Sequence, residues 1–312
     1  PRKLSVNSAT FAILSENAEM LLLTLFRLLA MLPLRVLHAI GRALGRLVYA
    51  LPGRYRERLR ANAAQAGYAD PYRTTTSYAR RARDLGVDIR TGTAVTGLSY
   101  AHGLTTVKTD KGAFIAPHVV LAAGPWTNQL AAGLGMQFPY QVSRHKVITL
   151  KIDRPYEKAW PIVKDLTTPD KIYFRPDTGG VVLIGTGDYG DPIEDADVLT
   201  DFIDEEHLER IGNLIAHRMP LFADAQYTAG WTGPYDISSD WNPIVGAAPG
   251  YEGVFVAVGF SGHGFKLAPT IGEGLAQTVL GQSVRVPIAD YSLDRFLTGH
   301  ALHGAYGIGS IS

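Results

Sequence analysis

The stretch that most constrains this chain is residues 254–276, VFVAVGFSGHGFKLAPTIGEGLA. Val254 to Val258 read as a buried strand, Gly259, Gly262 and Gly264 break it and let the backbone approach something closely, and a helix then opens at Gly264 and runs to Leu280. A helix that starts from such a turn aims its positive end there, which makes a site for negative charge. Lys266 places a full positive charge where the macrodipole disfavours it, so a compensating anion is expected beside it. The plain alternative for Lys266 is a surface lysine.

The remainder of residues 67–312 supplies a sheet for that strand. A helix is predicted over 74–85, ended near Gly86. Strands are predicted within 87–100 and over 105–110, with a Lys111-Gly112 turn into the run 113–124, in which residues 119–122 should be buried. A helix over 126–134 follows the Gly124-Pro125 break. Three strand-like runs follow between 145 and 186, then a long helix over 200–218 and a strand at 226–237. The fold class is α/β (α+β).

At 312 residues the chain is long enough for about two domains of roughly 150 residues. It has no cysteine, which excludes disulfides, zinc fingers, iron–sulfur clusters and thiol nucleophiles. No apolar run approaches the ~18 residues of a membrane span.

The net charge of +1 hides a division. Residues 1–66 carry ten basic side chains against Glu16, Glu19 and Glu57, and the remainder is net acidic. Residues 20–51 are apolar and divided by Pro33; in the second half Arg35, His38, Arg42 and Arg46 share one helical face, and Arg54, Arg56, Arg58 and Arg60 follow. One reading is contact of residues 18–60 with an anionic membrane surface; the other is a helical hairpin packed on the protein with solvated arginines. Few aromatics interleave the arginines, so no nucleic-acid partner is expected.

Three motif matches fail on context. Gly185-Thr186-Gly187-Asp188-Tyr189-Gly190 satisfies G-x-G-x-x-G after a strand, but Asp191, Pro192, Glu194, Asp195 and Asp197 follow where a helix should open. An acidic loop repels phosphate, so this reads as a turn between strands. Ser261 follows a buried strand as a hydrolase nucleophile does, yet His263 stands where the nucleophile elbow needs glycine. Glu194, Asp195, Asp197 and Asp201 lack calcium-loop spacing and read as a solvated loop and helix start.

Two resemblances add to this reading. Residues 18–70, above all LPLRVLHAIGRALGRLVYALPGRYRERLRANAAQAGYAD, resemble the N-terminal membrane-association segment of bacterial lipid A lauroyl acyltransferases. That family uses a histidine followed five residues later by an aspartate, and none of the nine histidines here has that partner. Residues 67–312, through GFSGHGFKLAP, LAAGPWTNQLAAGLGM, GTAVTG and the terminal GAYGIGSIS, resemble FAD-dependent amine oxidoreductases of the D-amino-acid oxidase and sarcosine oxidase class.

The second resemblance implies FAD as cofactor, a small amine or amino acid as substrate, and hydride transfer from the carbon beside the nitrogen, leaving an imine that water hydrolyses. It implies flavin contacts at Gly262, His263, Gly264, Phe265 and Lys266, with Lys266, His263 and Tyr173 at the substrate. Val95 would meet the adenine, and Ala123, Gly124 and Trp126 would lie near the dinucleotide. Arg144, Tyr173 and Asp188 fall on segments resembling the family's substrate sheet. Residues 67–142 and 240–312 would form the flavin part and 143–239 the substrate part, with 1–66 a basic helical segment. The family's opening βαβ unit, with its G-x-G-x-x-G turn, has no counterpart before Gly67, so the expectation is a chimeric or truncated oxidoreductase fold. A cytoplasmic protein, peripheral at the inner membrane through 18–60, is expected.

Overall fold

The computed structural model describes residues 69–152 and 161–302, apart from positions 178, 189, 194, 199 and 201. The chain divides into two units, Pro1–Ala66 and Gly67–Ser312, and every described residue belongs to the second. The basic segment and the terminal GAYGIGSIS lie outside the described residues.

Helix α1, Pro71–Asp84, starts three residues before the expected Thr74 because of its cap: the Asp70 side chain accepts the Arg73 N–H at 2.7 Å and Pro71 occupies the first turn. An antiparallel meander follows, β1 (Val95–Ala101), β2 (Leu104–Thr109) and β3 (Gly112–Ala116), in which residues 110–111 turn β2 into β3. Strand β4, Val119–Leu121, leads into a 3-10 turn at Gly124–Trp126 and the short helix α2, Thr127–Ala131. The helix expected over 126–134 is therefore a composite, with 3-10 turns on both sides of one α turn.

A six-stranded antiparallel sheet is built next from β5 (Tyr140–Lys151), β6 (Val163–Lys164), β7 (Tyr173–Pro176), β8 (Val181–Gly185), β9 (Asp191–Pro192) and, after helix α3 (Glu205–Arg218), β10 (Gln226–Ser238). Its order is β10-β5-β8-β7-β6, with β9 beside β5. Ile148, Phe174, Val182 and Ile184 on this sheet pack against Ile211 and Ile215 of α3. Helix α3 begins at Glu205, five residues later than the sequence pattern predicts. Asp204 is the cause: its carboxylate caps the His207 N–H at 2.8 Å while Lys146 of β5 grips it at 2.7 Å, so the chain before it is drawn onto the sheet.

Strands β11 (Ile244–Ala247) and β12 (Val254–Val258) then form a small sheet with β4, in the order β11-β12-β4, and helices α4 (Gly264–Val279) and α5 (Asp294–Leu297) follow. Val254, Val256 and Val258 of β12 face Leu98, Leu121 and Phe138, whereas Phe255 packs with Val245 on Ile271 and Leu275 of α4. Burial on both faces is what a central strand requires. The expectation that 119–122 are all buried is corrected: Leu121 is, but Val120 is 43% exposed, because β4 ends the sheet among the described residues. Arg295 of α5 makes a buried two-pronged ion pair with Asp240, at 2.7 and 3.0 Å, and so pins the loop after β10. No helix among the described residues is long and apolar enough to cross a membrane.

Candidate active site

Parallel pairing of β12 with β4, Val254 opposite Val119 and Val256 opposite Leu121, brings the ends of both strands to one side of the sheet. The turn at residues 123–126 and the turn at residues 259–264 therefore emerge together, the arrangement in which α/β sheets bind ligands. Tyr140 fixes the first turn: its hydroxyl donates to the Pro125 carbonyl and accepts the Asn128 N–H, both at 2.9 Å.

The second turn is left-handed at Gly259, Ser261 and Gly262. It is knitted to the end of β10. The Gly259 N–H donates to the Asp236 carboxylate at 2.8 Å and the Ser261 N–H to the Asp236 carbonyl at 3.1 Å. Ser261 Oγ accepts from the Ser238 N–H and donates to the Gly259 carbonyl, so this buried hydroxyl holds the turn. Burial pushes the Asp236 carboxyl above its ordinary range against the pull of those N–H groups.

A cavity of about 550 Å³ lies between this turn, with the start of α4, and the six-stranded sheet. Tyr235 of β10 stacks on His145 of β5 with ring centres 3.9 Å apart. Gly262 approaches the Tyr235 ring so closely that a Cβ there would sit 2.5 Å from a ring carbon. The Tyr173 hydroxyl lies against Gly185 and hydrogen-bonds Tyr235; burial raises both phenols, so both stay protonated. Lys164 lies over Gly187, whose Cβ would be 3.0 Å from the ammonium nitrogen. Burial, then the charges of Lys171 and Lys266, bring Lys164 down to about 8. Burial also lowers Lys266.

His263 immediately precedes α4 and is 3% exposed, yet neither ring nitrogen has a hydrogen-bond partner among the described residues. Burial, then Lys266 and Lys164, hold its pKa down at about 4, so the imidazole is neutral at pH 7. A buried imidazole with two unsatisfied nitrogens at a helix N-terminus is arranged for a polar ligand group.

A model of the FAD dependent oxidoreductase family matches residues 21–278. The chain belongs to the FAD dependent oxidoreductase family. Sarcosine oxidase subunit beta of an Arthrobacter species is 30% identical over 250 residues, which cover 78% of this chain and 58% of that protein. Monomeric sarcosine oxidase of Bacillus sp. (strain NS-129) is 29% identical over 227 residues, covering 70% and 58%. The crystal structure of L-proline dehydrogenase from P. horikoshii superposes with a TM-score of 0.67 at 27% identity, covering 75% of this chain and 62% of that one. The chain spans about three-fifths of the length of these relatives. The family match starts at residue 21 and so takes in most of residues 18–70, for which the comparisons show no acyltransferase relationship.

In this member of the family, Tyr173, Gly262, Phe265 and Lys266 line one cavity, with His263 and Gly264 in the same turn. Ala123, Gly124 and Trp126 sit at the neighbouring strand end, where the Trp126 indole N–H donates to Asp197 at 2.8 Å. Val95 is 39% exposed at the start of β1 and lines none of the cavity. Arg144 and Asp188 border a separate cleft of about 30 Å³ beside Lys146 and His207, so they stand apart from Tyr173. The G-x-G-x-x-G match runs from β8 into β9 with no helix, as its context requires, with Tyr189 outside the described residues. No group of acidic residues or histidines among the described residues is placed to hold a metal.

Sequence reasoning missed Lys164, His145, Tyr235 and Arg175. Alternation along β5 and β10 carries a signal for which face His145 and Tyr235 share, but their stacking depends on the strand register, Tyr235 lying opposite Ser143. The donor set fits the family's cofactor: unsatisfied imidazole nitrogens beside a helix N-terminus suit the polar edge of a flavin ring.

Proposed function

We propose that this chain catalyses FAD-dependent oxidation of the C–N bond of a small amine or amino acid, yielding an imine that water hydrolyses. The observation that carries the reading is the buried, unpartnered His263 at the start of α4, beside a cavity that Lys266 and Tyr173 line. When bound, FAD would supply the two-electron acceptor. Gly262, His263, Gly264, Phe265 and Lys266 are assigned to the flavin side, with the neutral imidazole free to donate from one nitrogen and accept at the other. Val95 is assigned to the adenine, and Ala123, Gly124 and Trp126 to the dinucleotide.

On the substrate side Lys266 holds a carboxylate, and the protonated Tyr173 and Tyr235 hydroxyls offer hydrogen bonds that orient the amine. A substrate ammonium would meet Lys164 and Lys266 with no carboxylate among the described lining residues, so the cavity favours the neutral amine, whose lone pair assists oxidation at the adjacent carbon. Residues 67–142 and 240–312 form the flavin part in this reading, and 143–239 the substrate part. The dinucleotide-binding βαβ unit is not contributed by residues 67–312, and its strand would pair along the outer edge of β4.

The deciding experiment is an absorbance spectrum of the purified chain after incubation with FAD and removal of free cofactor. Retained flavin bands that bleach on adding sarcosine or a D-amino acid are the expected result; a folded chain that retains no flavin overturns the reading. Contact of residues 18–60 with an anionic bilayer, which would make a cytoplasmic protein peripheral, rests on their basic pattern alone. Co-pelleting with anionic vesicles tests it, and deleting residues 1–66 should abolish the effect.

A further inference from the structure

Tyr235, the ring that β10 contributes to the cavity, has two close neighbours. Its hydroxyl-bearing end lies against Gly262, where a Cβ would come 2.5 Å from the ring carbon Cε2 and 3.0 Å from Cζ. The imidazole of His145 stacks on the same ring, with centres 3.9 Å apart and planes 18° from parallel. The two residues are diagonal neighbours in the pairing of β5 with β10, His145 lying opposite Gly233 and Tyr235 opposite Ser143. His145 is buried and has a support of its own. Its Nε2 lies 3.4 Å from Ser143 Oγ, and Gly190 closes over both: a Cβ there would sit 2.9 Å from Nε2 and 2.7 Å from Oγ. Burial holds the His145 pKa down at about 4, so the ring packs as a neutral aromatic at pH 7. Gly190, His145, Tyr235 and Gly262 thus make one line of contact, from the glycine turn after β8 to the turn that opens α4.

We propose that His145 is a positioning residue for Tyr235: its flat ring fixes the tilt of the phenol, and with it the hydroxyl that bonds Tyr173 and the seat of the Gly262 turn. Gly190 lacks a side chain so that the imidazole can stand at that depth, which gives the G-x-G-x-x-G match of residues 185–190 a use unrelated to phosphate. The assignment rests on the amine-oxidation reading for what Tyr173 and Tyr235 do to a substrate, and adds the residue that aims them. His145 takes no part in the oxidation itself. A planar face is what the role needs. Two stacked rings must tilt together, whereas an aliphatic side chain of similar size meets the phenol at a few points and lets it tilt. Any tilt moves the hydroxyl most, because it is the atom farthest from the backbone.

The test is nuclear magnetic resonance of the full chain without cofactor, its tyrosines carrying a magnetic carbon isotope at Cζ, where the chemical shift follows the hydrogen bonding of the phenol. The wild type is compared with His145→Phe, His145→Leu and Gly190→Ala, and Tyr173→Phe assigns the Tyr173 signal. That signal decides, because Tyr173 stands on β7, two strands away from β5, and is spared the direct effect of losing the imidazole from the Tyr235 ring. His145→Phe should leave it in place, and His145→Leu and Gly190→Ala should each move it. In the FAD-loaded chain His145→Leu should lower kcat/KM for amine oxidation by about tenfold or more, as a misplaced orienting group does, and His145→Phe should retain most of the wild-type value. A Tyr173 signal that ignores His145→Leu or Gly190→Ala, or that moves equally in His145→Phe and His145→Leu, overturns the proposal. The two claims fail separately. An unmoved signal in a chain whose flavin bleaches with sarcosine sinks this proposal alone, whereas the expected shifts in a chain that holds no flavin sink only the oxidation.

Discussion

Two glycine-rich turns follow buried strands in this molecule, and they do opposite things. Residues 185–190 satisfy the dinucleotide formula, yet their N–H groups are consumed locally: Gly187 donates to the Asp170 carbonyl at 2.9 Å and Gly190 to the Asp188 carboxylate at 3.3 Å, and the chain continues as β9. Residues 259–264 fail the formula, yet they open a 16-residue helix and leave a buried imidazole unsatisfied. The element that a turn leads into decides the turn's chemistry, because only a helix start leaves several N–H groups pointing outward.

The difference can be broken most severely at Gly262. Its φ of +81° and the Tyr235 ring exclude a branched side chain, so Gly262→Val should cost about 3 kcal/mol or more and abolish flavin retention. Urea midpoints and the spectrum check both; a variant of unchanged stability would mean the two elements do not touch.

Next in size is a pH effect at the helix-opening turn. The folded-state pKa of His263 lies at about 4, below the ordinary 6.5, so the unfolded chain binds a proton the native one refuses between those values. Stability from this group is complete above pH 6.5 and is lost as pH falls through 4, on the order of 3 kcal/mol. His145 shares the direction and a value of about 4, so His263→Gln should remove about half of their joint acid loss. Parallel profiles of unfolding free energy against pH for variant and wild type would contradict the buried neutral imidazole.

Smaller still is the contrast between the two aspartates. Asp236→Ala orphans the buried Gly259 N–H and should cost about 1–3 kcal/mol. Asp188→Ala removes one long hydrogen bond in a half-buried turn and should cost about 0.5 kcal/mol, with flavin retention intact. Equal costs would erase the distinction.

The helix-opening turn was legible in sequence because its signals are local: an apolar run, three glycines and a helical period within about twenty-five residues. The conflict of Lys266 with the helix dipole was legible for the same reason. Lys164 was not, since it belongs to a two-residue strand and reaches the cavity only through the pairing of β6, β7 and β8. The exposure of Val120 was equally hidden, because a strand's place at the end of a sheet is a property of its partners. The start of α3 slipped because the cap at Asp204 is reinforced by Lys146, a residue 58 positions away.

The last residues of β10 reach across to the turn that opens α4. Tyr235 lies against Gly262, Asp236 holds Gly259, and Ile237 bridges to Phe260, while the rest of the strand is zipped to β5. Opposite walls of the cavity are thus riveted by three consecutive residues, and neither can swing away without surrendering buried bonds. At the rim of the cavity Ile162 and Phe265 are about half exposed, and side chains so placed change rotamer within picoseconds to nanoseconds while the riveted walls stay fixed.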